Sequence, residues 1–368
     1  MIDKQKVMIG GGNSSSSQIV IKERTSNLEL YRIIVMLLIV AHHYVISGSG
    51  LTDIMYDNPF SPYTVFYRIM GAWGKTGINC FVLITGYFMC RSNISLRKFL
   101  KLALEVVFYN VIIYFVFCLC GYTDFSSLKF LYTLIPIKSV DTGFTSAFLL
   151  FYLLLPSLNA VIKGISQNQH RHVIALMLLI YTVFPMLLVP VSYNYVTWFS
   201  ILYLIASYIR IYGLPHNDSA KFWGVCALIS LLLSIVSIIA PLLIHKGCTY
   251  FFVSDSNHVM ALITAVSSFM FFKNVQIKNK KWINSIAATT FGVFLIHTRS
   301  DEMRTFLWRD LLDAPGHYSY PLFALLSVFL VFIVCSLIDA IRIKIIETPL
   351  LNAAEKACYW VKAKFEKK

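Results

Sequence analysis

Ten runs of apolar residues, most of them about as long as a bilayer is thick, constrain this chain more than any other feature of it. A helix needs roughly 17–25 apolar residues to cross a bilayer. The runs fall at approximately 28–46, 73–90, 99–121, 144–162, 173–191, 196–213, 222–244, 258–276, 284–300 and 321–341. The second and ninth are short and rich in Gly, Thr and Ser. A further stretch at 128–137 is too short to span and reads as re-entrant or interfacial. Composition agrees: 14% of residues are charged and 57% hydrophobic, with a mean hydropathy of +0.68, against about 25% charged in an ordinary soluble domain. The chain therefore reads as an all-α, polytopic integral membrane protein of about ten transmembrane helices. In such a chain a net charge of +14 is no argument for nucleic acid, because Lys and Arg collect in cytoplasmic loops.

The same basic residues give the orientation. With the N-terminus inside, the cytoplasmic segments are 1–32, 91–101, 163–171, 210–221, 273–281 and 342–368, and they hold 24 of the 32 Lys and Arg residues. That bias places both termini in the cytoplasm; one span more or fewer would invert every later loop and spoil it. Three regions follow. Residues 1–25 are polar, with a Gly10-Gly-Gly-Asn-Ser-Ser-Ser-Ser17 stretch expected to be a flexible tail. Residues 26–345 form the membrane domain. In 346–368, Leu350, Ala354, Ala357, Val361 and Phe365 repeat at helical spacing among Lys356, Lys362 and Lys364. That pattern suits a basic amphipathic helix on the inner leaflet, or else a solvated tail. The first apolar run begins near residue 28 without a small-residue cleavage site, so no secretory signal peptide is expected. No internal repeat is evident, which weakens the case for a transporter built of inverted halves. The eight cysteines form no Cys-x-x-Cys pair, and neither a metal site nor a disulfide framework is expected.

Within the first run, Arg32 and His43 stand eleven positions apart. On a helix that is about 1100° of rotation, only about 20° past three turns, so the two share a face roughly 16 Å apart. His42 points some 80° away. Ionisable groups inside a membrane are functional candidates by default. A neutral imidazole suits a general base, and a permanently charged guanidinium suits phosphate. The plainer alternative is a snorkelling arginine and a histidine bonded between helices. In the second run, Gly77-Ile-Asn-Cys-Phe-Val-Leu-Ile-Thr-Gly-Tyr87 reads first as a close-packing element, with Arg91 following it. The third opens with Leu96-Arg-Lys-Phe-Leu-Lys101, placing Lys98 and Lys101 one turn apart. The positive-inside bias explains that pair as readily as an anionic ligand does. In the ninth, Phe291-Gly-Val-Phe-Leu-Ile-His297 carries a histidine near the outer face, where an interfacial role would be enough to explain it; Arg299, Asp301, Glu302 and Arg304 follow. Asp339 and Arg342 read as structural anchors, and Tyr152 and Asn159 as interhelical hydrogen bonders. Lone His172, His216 and His245 fall at loop boundaries and suggest no function.

Taken together these elements resemble the membrane-bound acyltransferase 3 family, and within it bacterial polysaccharide and cell-surface glycan O-acetyltransferases. The resemblance runs from about residue 26 to 350. It is carried by the Arg-x10-His pair Arg32/His43, by Phe81-Val-Leu-Ile-Thr-Gly-Tyr87, by Lys98-Phe-Leu-Lys101 and by Phe291-Gly-Val-Phe-Leu-Ile-His297. Phe144-Thr-Ser-Ala-Phe-Leu-Leu-Phe-Tyr152 and Pro156-Ser-Leu-Asn159 fit as well. Thr85 stands where the family often has serine, and lysines stand for an Arg-x-x-Arg pair, losing arginine's bidentate fork.

The resemblance implies transfer of an acyl group, expected to be acetyl, from cytoplasmic acetyl-CoA to a hydroxyl of a surface or lipid-linked glycan. The setting would be a bacterial inner membrane, with membrane lipids around the chain. His43 and His297 would be catalytic, His43 either as a general base or as a transient acyl relay, and Arg32, Lys98, Lys101 and Arg91 would bind the donor. Thr85, Tyr87 and Glu302 would lie on the substrate side. No extracellular hydrolase-like unit is expected, so the membrane unit would deliver the acyl group itself. Three other readings stay open: a transporter or flippase for a polar or anionic solute, an acyltransferase using succinyl-CoA or an amino acceptor, and a membrane scaffold or sensor.

Overall fold

A computed structural model describes residues 26–47, 49–92, 95–138, 143–244 and 253–365. The N-terminal tail at 1–25 and His245 lie outside the described residues. Each of the ten apolar runs is occupied by helix, and no strand occurs among the described residues.

The first run is α1 (Asn27–Ile46). Two short helices, α2 (Leu51–Asp57) and α3 (Pro62–Gly71), carry the chain to α4 (Gly74–Met89), the second run. The third run is α5 (Leu96–Leu119). The 128–137 stretch forms only α6 (Ser127–Thr133), which at about 1.5 Å per residue cannot span. Then come α7 (Phe144–Gly164) and α8 (Gln167–Leu178), the latter passing through a π-helical turn at Leu179–Val183 into α9 (Phe184–Met186). The sixth to eighth runs are α10 (Tyr195–Ile211), α11 (Ala220–Ile244) and α12 (Val259–Asn274). The ninth is broken at Thr289 into α13 (Lys281–Ala288) and α14 (Thr290–Thr298). Next, α15 (Asp301–Thr305) leads into a π-helical turn at Phe306–Leu311. The last run is α16 (Pro321–Arg342), which continues through Ile343–Glu347 into α17 (Thr348–Phe365).

The helix starts follow local chemistry. The hydroxyls of Ser95, Ser126 and Ser300 each accept a backbone N–H of the helix they precede, at α5, α6 and α15. Ser166 forms a reciprocal capping box with Gln169 at α8. Pro62 and Pro321 occupy first-turn positions where no backbone donor is needed.

Five helical stretches among the described residues are long and apolar enough to cross a membrane: α1, α5, α7, most of α11, and α16 with its continuation. The others are shorter or interrupted. The sides of α16 show the solvent this fold is built for. Leu322, Leu326, Leu330, Ile333, Leu337 and Ile341 are exposed along one side, while Ala324, Val328, Val331, Cys335, Asp339 and Arg342 are buried along the other. A helix that is apolar on its outward face as well as its inward one belongs in lipid.

At the centre stands α1, packed on α3, α4, α12, α13, α14 and α16. Its closest approach to α4 depends on Gly74, where an added Cβ would lie 2.2 Å from the His42 ring. Gly77 then meets Ile39 and Val35, so the two helices run antiparallel, as consecutive spans should. The C-terminal α17 packs on α5, with Arg97 bonded to Glu355 and Asn352 and with Leu351 buried.

Candidate functional site

His43 lies on the last two turns of α1 and faces α14. Its Nδ1 is 3.0 Å from Nε2 of His297, although 254 residues separate them. His297 is fully buried, and its Nδ1 lies 2.5 Å from the carbonyl of Val293 one turn back. A carbonyl oxygen can only accept, so Nδ1 of His297 carries the proton. A neutral imidazole has one N–H, so Nε2 of His297 holds a lone pair and accepts from His43. The proton of neutral His43 is therefore on Nδ1, leaving its Nε2 unprotonated. That nitrogen makes no hydrogen bond among the described residues, and His43 is only partly buried. One histidine thus fixes the tautomer of the other and presents a basic nitrogen, the arrangement of a base held by an orienting group.

The surroundings are aromatic and sparsely hydrogen-bonded. Phe294 lies 6.2 Å, centroid to centroid, from His43 and from His297. Trp308 is 6.3 Å from His297 and 5.4 Å from Tyr44. Both Tyr44 and Trp308 are fully buried, yet the Tyr44 hydroxyl and Trp308 Nε1 have no hydrogen-bond partner among the described residues. Unpaired buried donors are rare enough to call for a role. His42 points elsewhere, to the carbonyl of Gly71 at 2.5 Å.

Gly292 lets α14 pack closely against α16. An added Cβ there would sit 2.1 Å from Cγ of Asp339 on α16. Asp339 belongs to a buried polar network: its Oδ1 accepts from Tyr109 at 2.7 Å and from Arg342 Nε at 2.6 Å. Arg342 also pairs with Glu105 at 2.9 Å and with Glu347 at 3.3 Å. Asp339 and Arg342 are anchors, as the sequence suggests. So is Asn159, which accepts from Tyr203 at 2.5 Å and donates to the carbonyl of Met89 at 3.5 Å.

A family model of an acyltransferase domain matches residues 25–340. The chain belongs to the acyltransferase 3 family. It is a multi-pass membrane protein and an enzyme that transfers acyl groups, which decides against the solute-carrier and scaffold alternatives. No curated protein and no solved structure shows a match.

Within this acyltransferase the residues singled out by sequence separate into groups. His43 and His297 meet directly. Arg32 shares α1 with His43 and is paired at 2.8 Å with Glu29 one turn earlier. Lys101 is paired with Glu347 at 2.7 Å, beside the Arg342 network, where the cleft holds only about 10 Å³. That is space for about one water molecule. Lys98 lies in the first turn of α5, its backbone N–H capped by Ser95.

Thr85 donates its hydroxyl to the carbonyl of Phe81 at 3.0 Å. The next residue, Gly86, packs where an added Cβ would lie 2.9 Å from Ala206. This is the close-packing reading of the Thr-Gly-Tyr element. Tyr87 lies thirteen residues beyond Gly74, hence about 20 Å along the helix from the histidine end. There its hydroxyl accepts from Arg210 at 2.7 Å, the guanidinium standing 4.5 Å over the ring. Arg91 donates to the Arg210 carbonyl at 3.5 Å. His297 is buried inside the protein, against His43. Glu302 is exposed on the far side of it, at the border of an open cavity.

Sequence reasoning passed over Arg210. It entered only as a loop charge, yet it sits half-buried at the end of α10, with Nε unpaired among the described residues. A guanidinium stacked on Tyr87 and left with an unpaired donor is better suited to an oxyanion than a solvated loop arginine. The signal that could have found it is a cation ending an otherwise unbroken apolar run.

Proposed function

We propose that this acyltransferase moves an acetyl group from cytoplasmic acetyl-CoA to a hydroxyl of a cell-surface glycan or its lipid-linked precursor, in a bacterial inner membrane. The observation that carries the reading is the His43–His297 pair, which leaves an unprotonated Nε2 on His43. The acceptor O–H would give its proton to that nitrogen while its oxygen attacks the thioester carbonyl. The carbonyl electrons then fall back, the C–S bond breaks, and the departing CoA thiolate takes the proton. As His43 becomes positive, its Nδ1–H bond to His297 becomes charge-assisted and stronger, so the pair favours the transition state over the ground state. The unpaired Tyr44 hydroxyl and Trp308 N–H are the donors at hand for negative charge on the acyl oxygen.

The charge bias puts Arg32, Arg91, Arg210, Lys98 and Lys101 on the cytoplasmic side, where the donor's phosphates would bind. Arg32 then lies roughly 16 Å below His43 on the same helix face, leaving the pantetheine arm to reach upward. Purified protein in lipid nanodiscs, given labelled acetyl-CoA or succinyl-CoA and oligosaccharide acceptors, tests the reading. Label appearing as an alkali-labile ester on the sugar supports it. Preferred use of succinyl-CoA, or of an amino acceptor, would replace the donor or acceptor named here.

A further inference from the structure

Beyond His297 the chain leaves α14 and borders a cavity of about 200 Å³. Its walls come from the outer half of α5, from α6 and the segment after it, and from the corner at 299–302. That volume is below the roughly 300–1,000 Å³ of pockets for drug-sized ligands, and it suits one sugar unit or its substituent. Among the described titratable groups lining it, Lys129, Lys138 and Arg299 are cations and Glu302 is a carboxylate.

The arrangement of Arg299 is specific. Its Nε donates to the side-chain oxygen of Asn110, and the Asn110 amide nitrogen donates to the carbonyl of Thr133 at 3.1 Å. The guanidinium is therefore held by one edge. Its two terminal nitrogens make no hydrogen bond or ion pair among the described residues and remain a fork of the kind that grips carboxylate or phosphate. Lys138 forms no ion pair among the described residues either. Desolvation at the cavity wall, and then the positive charge of Arg299, hold Lys138 below the ordinary lysine value. Two cations set against each other in a partly dehydrated site repel, and an anion between them relieves both the repulsion and the unmet donors. Arg299 is two residues from His297, so its Cα lies within about 8 Å of the histidine's Cα.

We propose that this outer cavity binds an anionic group on the acceptor, a carboxylate or a phosphate, so that the enzyme selects an acidic glycan and presents its hydroxyl to His43. The inference rests on the acyl-to-glycan reading for its context but is tested apart from it. Binding is measured first, by titrating protein in nanodiscs with three probes: a glucuronate-containing trisaccharide, its neutral counterpart with glucose in place of glucuronate, and a neutral sugar on a pyrophosphoryl lipid. Tighter binding of the glucuronate probe than of the neutral one assigns the carboxylate. Tighter binding of only the pyrophosphoryl lipid assigns the phosphate.

In either case Lys138→Gln should weaken the preferred probe about tenfold to a hundredfold, the loss of one charge-assisted hydrogen bond. Arg299→Lys should retain more affinity than Arg299→Gln, since charge is kept and only the fork is lost. In the transfer assay, Lys138→Gln should raise KM for the acidic acceptor and leave KM for acetyl-CoA where it was. Equal binding of all three probes, or unchanged binding by Lys138→Gln, overturns the proposal. Acidic-probe binding that depends on Lys138 in a protein that transfers nothing to glycans would instead uphold the cavity and defeat the transfer reading.

Discussion

Replacing His297 by leucine isolates the contribution of the histidine pair. The substitution removes the acceptor that lies 3.0 Å from His43 Nδ1 and leaves the rest of α14 unchanged. In the ground state the lost bond joins two neutral rings. When His43 has taken the acceptor's proton, the same bond joins an imidazolium to a lone pair, and bonds to charged groups are worth about 1.5–3 kcal/mol. Lost chiefly in the transition state, that amounts to a fall in kcat of about ten- to 150-fold. His297→Gln, whose amide oxygen can accept the same bond, should fall between the leucine variant and the native enzyme. The assay is steady-state release of the CoA thiol by nanodisc-embedded protein with saturating acceptor, alongside a thermal melt of each variant. A folded His297→Leu protein with native kcat, or one whose loss lies wholly in KM for acetyl-CoA, would refute the orienting role.

Other consequences follow from the packing and the charges. Gly292→Ala places a Cβ 2.1 Å from Asp339 Cγ, so α14 and α16 must part. Stability should fall by about 1–3 kcal/mol, with a lower Tm in detergent and reduced turnover; an unchanged Tm would contradict that close approach. Arg342→Met leaves Glu105 and Asp339 buried without their cation, a loss of about 3–5 kcal/mol. A variant that melts with the native protein would show that the network carries no stability. Arg210→Gln should raise KM for acetyl-CoA about tenfold or more while leaving acceptor binding alone. An unchanged donor KM removes Arg210 from the donor site.

Much of the fold is legible in the sequence because lipid asks for apolar helix: each of the ten runs is occupied by helix, and five helical stretches among the described residues are long and apolar enough to cross. The lipid-facing Leu322, Leu326, Leu330 and Ile333 are read from hydropathy alone. The break at Thr289 and the π-helical turns are not read from hydropathy, although the turn at Leu179–Val183 stands just before Pro185, which has no backbone N–H to donate. The pairing of Arg32 with Glu29 is local and follows from their spacing of three. Contacts across the chain are a different matter. Arg32 and His43 could be placed on one face by counting, whereas the partners His297 and Arg210 stand 254 and 123 residues from His43 and Tyr87. Periodicity carries no information at such separations. The motif Phe291-Gly-Val-Phe-Leu-Ile-His297 marks a histidine but not its burial inside the protein or its contact with His43. The histidine's neighbours His43 and Trp308 come from α1 and from the turn after α15, which the motif does not contain.

The central claim, that His43 Nε2 is the base for acyl transfer, is tested most directly by the rate at which His43→Ala moves labelled acetyl from acetyl-CoA to a glycan hydroxyl. The experiment should use nanodiscs containing protein that melts like the native enzyme and binds acetyl-CoA with native affinity. Loss of a positioned general base costs about 10²–10⁴-fold in rate, so transfer should fall by at least about a hundredfold. Transfer by His43→Ala at the native rate would contradict the account.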